Sequence, residues 1–92
     1  MDGVKDINVY NKIFEAVEQV PGASNPHRVR SRMIGNRYII TLDIEVNPHI
    51  TVTQAHDIAE AVEKSIENSI DNIYDILVHV EPAGECQADE KF

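Results

Sequence analysis

RYIITLDIEV, residues 37–46, is the clearest β-strand in this sequence. Large apolar side chains occupy every second position, which is the pattern of a strand that lays one face on a hydrophobic core. The intervening positions include Asp43 and Glu45, so the other face carries carboxylates. Gly35-Asn36 comes directly before the strand and is a two-residue hairpin signal, because both residues tolerate positive φ. The segment from His27 to Ile34 is therefore predicted to be the antiparallel partner.

Hydrophobic periodicity also predicts two helices and a third strand. Apolar residues recur at steps of three and four from Asp6 to about Gln19, which predicts a helix. Its buried stripe would consist of Ile7, Tyr10, Ile13, Phe14 and Val17. Thr51 and Gln54 form a capping box that begins a second helix, from about Val52 to Asn68. The last predicted strand runs from Ile73 to Glu81.

This order of elements predicts an α+β fold. A hairpin followed by a helical crossover gives a three-stranded mixed sheet with both helices on one face. The opposite face of the sheet then stays uncovered, and on it Ile39 and Leu77 lie beside acids and a histidine. We expect a second copy of the chain to pack there.

Length and composition narrow the function. Ninety-two residues make one domain with a small core; we expect the domain to span residues 1–82 and an acidic flexible tail to span residues 83–92. Sixteen acidic against eight basic residues give a net charge of −8, which argues against nucleic acid as a partner. No apolar run has the length of a membrane span, and no nucleophile elbow or phosphate-cradling loop is present. An enzyme is therefore not expected.

His79 and Glu81 are the best candidate metal ligands from the residues alone. They are two positions apart on the last strand and so project from one face, close to Asp43 and Glu45 if the neighbouring strand pairs as expected. Imidazole and carboxylate are the groups that Zn²⁺ takes where thiolates are absent. A solvated strand end is the alternative interpretation of this pair.

The other histidines are open to two interpretations. His27 at the start of a strand and His56 in the first turn of a helix are either ligands or ordinary exposed histidines. His49 lies in a connecting loop and is expected to be an ordinary exposed histidine. Cys86, the single cysteine, lies in the predicted tail and is likewise not expected to bind metal. The three arginines between residues 28 and 32 are expected to pair with strand carboxylates or with a partner chain, because no net positive surface surrounds them.

Four segments in this order resemble the cytoplasmic C-terminal domain of cation diffusion facilitator transporters. They are HRVRSR at residues 27–32, the strand from Tyr38 to Val46, QAH at residues 54–56 and VHVEP at residues 78–82. The resemblance covers about Ile7 to Pro82. It implies a ferredoxin-like, metallochaperone-like αββαβ fold, a V-shaped homodimer, and a divalent metal, usually zinc, near the subunit interface.

The resemblance also implies a ligand set. His27, His56 and His79 match histidines of the family, and Glu81 stands where many members have aspartate or glutamate. Asp43 departs from the pattern, since zinc-transporting relatives often have histidine there. A carboxylate at this position hardens the site, which makes Mn²⁺ or Fe²⁺ more plausible than a set of histidines alone would. Co²⁺ and Cd²⁺ are further alternatives to Zn²⁺.

In that family the domain follows a bundle of transmembrane helices that exports cations. The resemblance therefore implies a regulatory domain at the cytoplasmic face of the cell membrane, soluble as this fragment, that senses cytosolic metal and biases transport. A passive homodimerisation module without its own metal site is the main alternative. A soluble metal chaperone is a second alternative, which the absence of a CxxC pair disfavours.

Overall fold

The computed structural model describes residues 7–84. Two helices and three strands follow one another along the chain. They are α1 (Ile7–Glu18), β1 (Ser24–Ile34), β2 (Arg37–Val46), α2 (Val52–Ser69) and β3 (Ile73–Pro82). This is the predicted αββαβ order, and the α+β prediction is confirmed. Within the described residues, no helix is both long and apolar enough to cross a membrane.

β2 is the central strand of one three-stranded sheet in the order β1-β2-β3. It pairs antiparallel with β1 through the hairpin and parallel with β3 through the α2 crossover. Its alternate residues Ile40, Leu42, Ile44 and Val46 are buried in the core. β3 supplies Ile76, Val78 and Val80 to the same side of the sheet.

Helix α1 covers this side, but its buried face differs from the predicted stripe: it includes Val9 and Ala16 and leaves out Ile7. Val9, Ile13, Ala16 and Val17 are buried in the helix, whereas Ile7 is 65% exposed. At 100° per residue, Ile7 projects about 120° away from Ile13, the fully buried centre of the face. Ile7 was therefore wrongly assigned to the core. Tyr10 and Phe14 are partly buried against the core, as predicted.

Helix α2 packs beside α1 and begins at the predicted capping box. The Thr51 side chain accepts a hydrogen bond from the Gln54 backbone, and the Gln54 side chain accepts one from the Thr51 backbone. The Ser65 hydroxyl donates to the Ala16 carbonyl at 2.8 Å, which joins the two helices. Gly22, with φ of +93°, allows close approach, because a Cβ there would lie 2.9 Å from the Ile58 side chain.

Strand β1 is irregular in its first half. Ser24 pairs with Glu45, His27 with Asp43, and Arg30 with Thr41, so each step uses three residues of β1 against two of β2. Each step therefore contains a bulge with one extra residue. β1 begins at Ser24, three residues before the predicted start. The chain leaves β3 through a turn at residues 83–84, and the remainder of the predicted tail, with Cys86, lies outside the described residues.

Two valines of α2 offer a matched test of this packing. Val62 is fully buried and Val52 is 87% exposed in the same helix. Val62→Ala should lower the free energy of unfolding by about 2 kcal/mol, because it removes buried methyl groups and leaves a cavity. Val52→Ala should change it by less than about 0.5 kcal/mol. Urea denaturation at one protein concentration measures both; equal effects would contradict the assigned helix face.

A candidate metal centre on the open face of the sheet

The sheet gathers imidazole and carboxylate groups on the side away from the helices, which we call the open face. Asp43 on β2 lies between His27 on β1 and His79 on β3. Two residues further along β2 and β3, Glu45 lies opposite Glu81. Because alternate residues of a strand project to the same face, both rows point away from the core residues of β2.

His27 lies at the centre of this group and is only 6% exposed. Its Nδ1 lies 2.7 Å from the Asn25 backbone carbonyl. A carbonyl only accepts, so Nδ1 carries the hydrogen and donates. The other ring nitrogen, Nε2, lies 3.1 Å from Glu81 Oε1 and 3.8 Å from Asp43 Oδ2. The arrangement directs Nε2 and two carboxylates toward one another.

Three donors converge closely enough to hold one ion. Each of His27, Glu45 and Glu81 offers a ligand atom within 4.8 Å of the others. Metal–ligand bonds of about 2.0–2.2 Å place two ligand atoms on one ion roughly 3–4 Å apart, so the three atoms are at most about 2 Å farther apart than a shared ion requires. Imidazole and carboxylate donors also fit a borderline or hard divalent cation. We refer to these three residues as the donor cluster.

The bulged part of β1 positions the donor cluster. Asn25 has a positive φ of 49° and contacts two of the donors. Its carbonyl accepts from His27, and its side-chain amide donates to Glu45 Oε2 at 2.8 Å. Ser24 Oγ donates to the Glu45 backbone carbonyl at 3.2 Å. Metal ligands depend on such outer contacts, which fix the ring tautomer and orient the carboxylate.

Asp43 and His79 lie beside the donor cluster. Asp43 is 7% exposed, and its Oδ2 accepts a hydrogen bond from Arg28 Nε at 2.9 Å. This contact agrees with the expected pairing of a β1 arginine with a strand carboxylate. The His79 side chain is 70% exposed, and its Nδ1 lies 3.9 Å from Asp43 Oδ1. His79 therefore reaches the same carboxylate from the solvent side.

His56 is not brought to the donor cluster within one chain. It lies near the start of α2, with its side chain 67% exposed, and its Nε2 is 3.2 Å from Glu60 Oε2 one turn later. Of the five predicted ligands, the structure thus brings together His27 and Glu81, with Asp43 and His79 adjacent.

Glu45 was not among the predicted ligands. Two features of the sequence point to it: it is two residues from Asp43 on one strand, and it takes the position opposite Glu81 once β2 and β3 are paired in parallel. No pattern in the sequence predicts the contacts of Asn25, because they depend on the bulge between Ser24 and His27.

A second acidic surface lies at the start of β3, away from the donor cluster. A cleft there is lined by carboxylates that include Glu63, Glu67, Asp71 and Asp75. Burial raises the pKa of Glu63, and the negative charges of Glu67, Glu60 and Asp75 raise it further, while His56 lowers it. Ionisation of Glu63 therefore costs more free energy in the folded chain than in the unfolded chain.

Comparison with known proteins identifies relatives over most of the chain. Residues 6–83 match the family model described as cation efflux protein, cytoplasmic domain. The magnetosome protein MamM of Magnetospirillum gryphiswaldense is 37% identical over 81 residues, which are 88% of this chain and 26% of MamM. Metal tolerance protein 2 of Oryza sativa is 32% identical over 87% of this chain and 21% of its own length. The chain thus spans about a quarter of the curated relatives it matches.

Solved structures share the fold. The metal-bound C-terminal domain of the CzcD transporter from Thermotoga maritima superposes with a TM-score of 0.82 and 38% identity, covering 88% of this chain and 94% of that one. A cadmium form of a MamM C-terminal domain variant gives a TM-score of 0.77 with 37% identity, covering 82% and 94%. These likenesses agree with the predicted resemblance.

Asn25 provides a test of how the donor cluster is positioned. Asn25→Gly keeps the positive φ and the backbone carbonyl but removes the amide that holds Glu45, so Zn²⁺ affinity should fall about tenfold. Asn72→Gly is the matched control, because Asn72 also has a positive φ, of 64°. Isothermal titration calorimetry measures both affinities. If Asn25→Gly binds Zn²⁺ as tightly as Asn72→Gly and the wild type do, the Asn25 side chain has no positioning role.

The raised pKa of Glu63 predicts a pH-dependent gain from Glu63→Gln. A carboxyl group whose pKa is higher in the folded state favours folding at low pH and loses that contribution as pH rises through the folded pKa. Glu63→Gln should therefore be more stable than the wild type at neutral pH, and the difference should vanish below the unfolded value of 4.5. Urea denaturation across this range tests it, with Glu15→Gln on α1 as the charge-matched control. A gain that is independent of pH would contradict this prediction.

Proposed function

The chain belongs to the family of cation efflux protein cytoplasmic domains, and from this membership we propose that it is the dimerising, divalent-metal-binding regulatory domain of a cation efflux transporter. The observation that carries the proposal is the donor cluster, where a buried imidazole nitrogen and two carboxylates face one another. The two carboxylates repel each other, and a cation between them would offset that repulsion.

Zn²⁺ is the proposed ion. His27 Nε2, Glu81 and Glu45 would hold it, with Asp43 and His79 beside them to complete or exchange ligands. The donor set of one imidazole and carboxylates also accepts Mn²⁺, Fe²⁺, Co²⁺ or Cd²⁺. The bound ion would supply positive charge that fixes β1, β2 and β3 relative to one another on the open face.

A homodimer is proposed because the open face remains apolar in part. Leu77 is 58% exposed there and pairs with Thr41, two residues before the paired His79 and Asp43. An exposed apolar and acidic sheet face fits a self-complementary interface around a metal. In such a dimer, His56 would act as a ligand from a second copy, since it lies apart from the donor cluster of its own chain.

Metal sensing would follow from a difference in affinity between two dimer arrangements. A ligand shifts an equilibrium only by its differential affinity for the two states. If the closed arrangement completes the ligand set, metal favours it, and the attached transmembrane helices of the full-length protein are biased at the cytoplasmic face of the membrane. The domain would in this way couple cytosolic metal concentration to transport.

Thermal melting distinguishes this function from a passive dimerisation module. Zn²⁺ at about one hundred times Kd stabilises the folded state by about 2.7 kcal/mol, which raises the melting temperature of a domain of this size by roughly 10–20 °C. His27→Ala should lose that increase, and His49→Ala, which changes an exposed loop histidine, should keep it. His56→Ala and His79→Ala should reduce it in the dimer.

A passive dimerisation module would have the same melting temperature with zinc and with a chelator. The shift between those two conditions, rather than the melting temperature itself, is the quantity to compare, because His27 is buried and its loss also changes packing.

A further inference from the structure

Arg28 already places a positive charge on a carboxylate beside the donor cluster. Its Nε donates to Asp43 Oδ2 at 2.9 Å. The Asp43 side chain is 10% exposed and that of Arg28 is 46% exposed. The carboxylate is therefore fixed inside the protein, while the guanidinium approaches it from the solvent side.

The oxygen that Arg28 contacts is the one that faces His27. Asp43 Oδ2 lies 3.8 Å from His27 Nε2, the nitrogen directed toward the donor cluster. A cation bound by His27 that recruited Asp43 through this oxygen would meet the Arg28 guanidinium on the same atom. The two positive charges would repel each other at this short distance.

The β1 bulge produces this arrangement. Consecutive residues of a regular strand point to opposite faces, yet His27 and Arg28 both contact Asp43. An extra residue lies between the paired positions His27 and Arg30, and Arg28 has a positive φ of 49°. A residue other than glycine keeps such a φ only where its surroundings hold it there. The backbone is thus shaped to bring the guanidinium to Asp43.

We infer that Arg28 is a tethered cation that withholds Asp43 from the metal and so sets the affinity of the donor cluster. This inference rests on the proposed metal-binding function. While Arg28 is in place, the ion depends on His27, Glu45 and Glu81 within one chain; Asp43 becomes a fourth donor when the guanidinium moves into solvent. Ion pairs at this degree of exposure are weak, so the competition limits affinity without abolishing binding.

Arg28→Asn tests the competition directly. Asparagine has no charge and tolerates positive φ. Its zinc affinity should exceed that of the wild type by about fivefold, the size expected for release of a half-exposed ion pair. The gain should disappear when Asp43→Asn is also present, because no carboxylate is then released. Arg30→Gln, which removes the same charge from an exposed position on the same strand, should change affinity by less than about twofold.

Isothermal titration calorimetry with Zn²⁺ at one pH and ionic strength compares the wild type, the three single variants and the double variant. Circular dichroism confirms that each is folded, and Arg28→Gly, which relaxes the positive φ, provides a second variant without the guanidinium.

Tighter binding by Arg28→Asn that depends on Asp43 supports the inference. If wild type and Arg28→Asn bind equally, the inference is overturned and the proposed function stands. An equal gain in Arg30→Gln, or one that persists with Asp43→Asn, also overturns it. Absence of zinc binding in every protein overturns both the inference and the proposed function.

Discussion

Strand β2 is hydrogen-bonded along both edges, and this double pairing organises the rest of the domain. One edge takes β1 antiparallel through a two-residue turn, and the other takes β3 in parallel through α2. Since consecutive β2 residues must point to opposite faces, the same ten residues build the core on one side and present Asp43 and Glu45 on the other. Folding and the chemistry of the open face are therefore set by one strand.

Regular pairing alone would not assemble the donor cluster. β1 departs from it twice, and the two residues with positive φ, Asn25 and Arg28, lie on either side of His27. Asn25 contacts Glu45 and Arg28 contacts Asp43. One β2 carboxylate, Glu45, is thus bonded to a neutral amide, and the other, Asp43, is bonded to a cation. His27 lies between Asn25 and Arg28 in the chain. Local backbone strain and electrostatics act together at this place.

The sequence predicted the fold well, because its signals are local. Alternation over residues 37–46 and the Thr51 capping box correctly located β2 and the start of α2. Ile7 was wrongly assigned to the core, because a stripe of apolar residues leaves the centre of the buried face undefined until the helix is docked. The β1 bulges were not predictable, since an extra residue becomes visible only against the partner strand. For that reason the contacts of Asn25 required the structure, whereas the position of Glu45 two residues from Asp43 on one strand was visible in the sequence.

The separation of the donors along the chain has a consequence for biosynthesis. His27 and Glu81 are 54 positions apart, and Glu81 lies at the end of the last strand. A growing polypeptide that has emerged from the ribosome only through α2 contains two of the three donors and lacks the third. The three donors come together only after β3 has joined the sheet, so a cation that needs all three would bind after translation of the domain and would not guide its early folding steps.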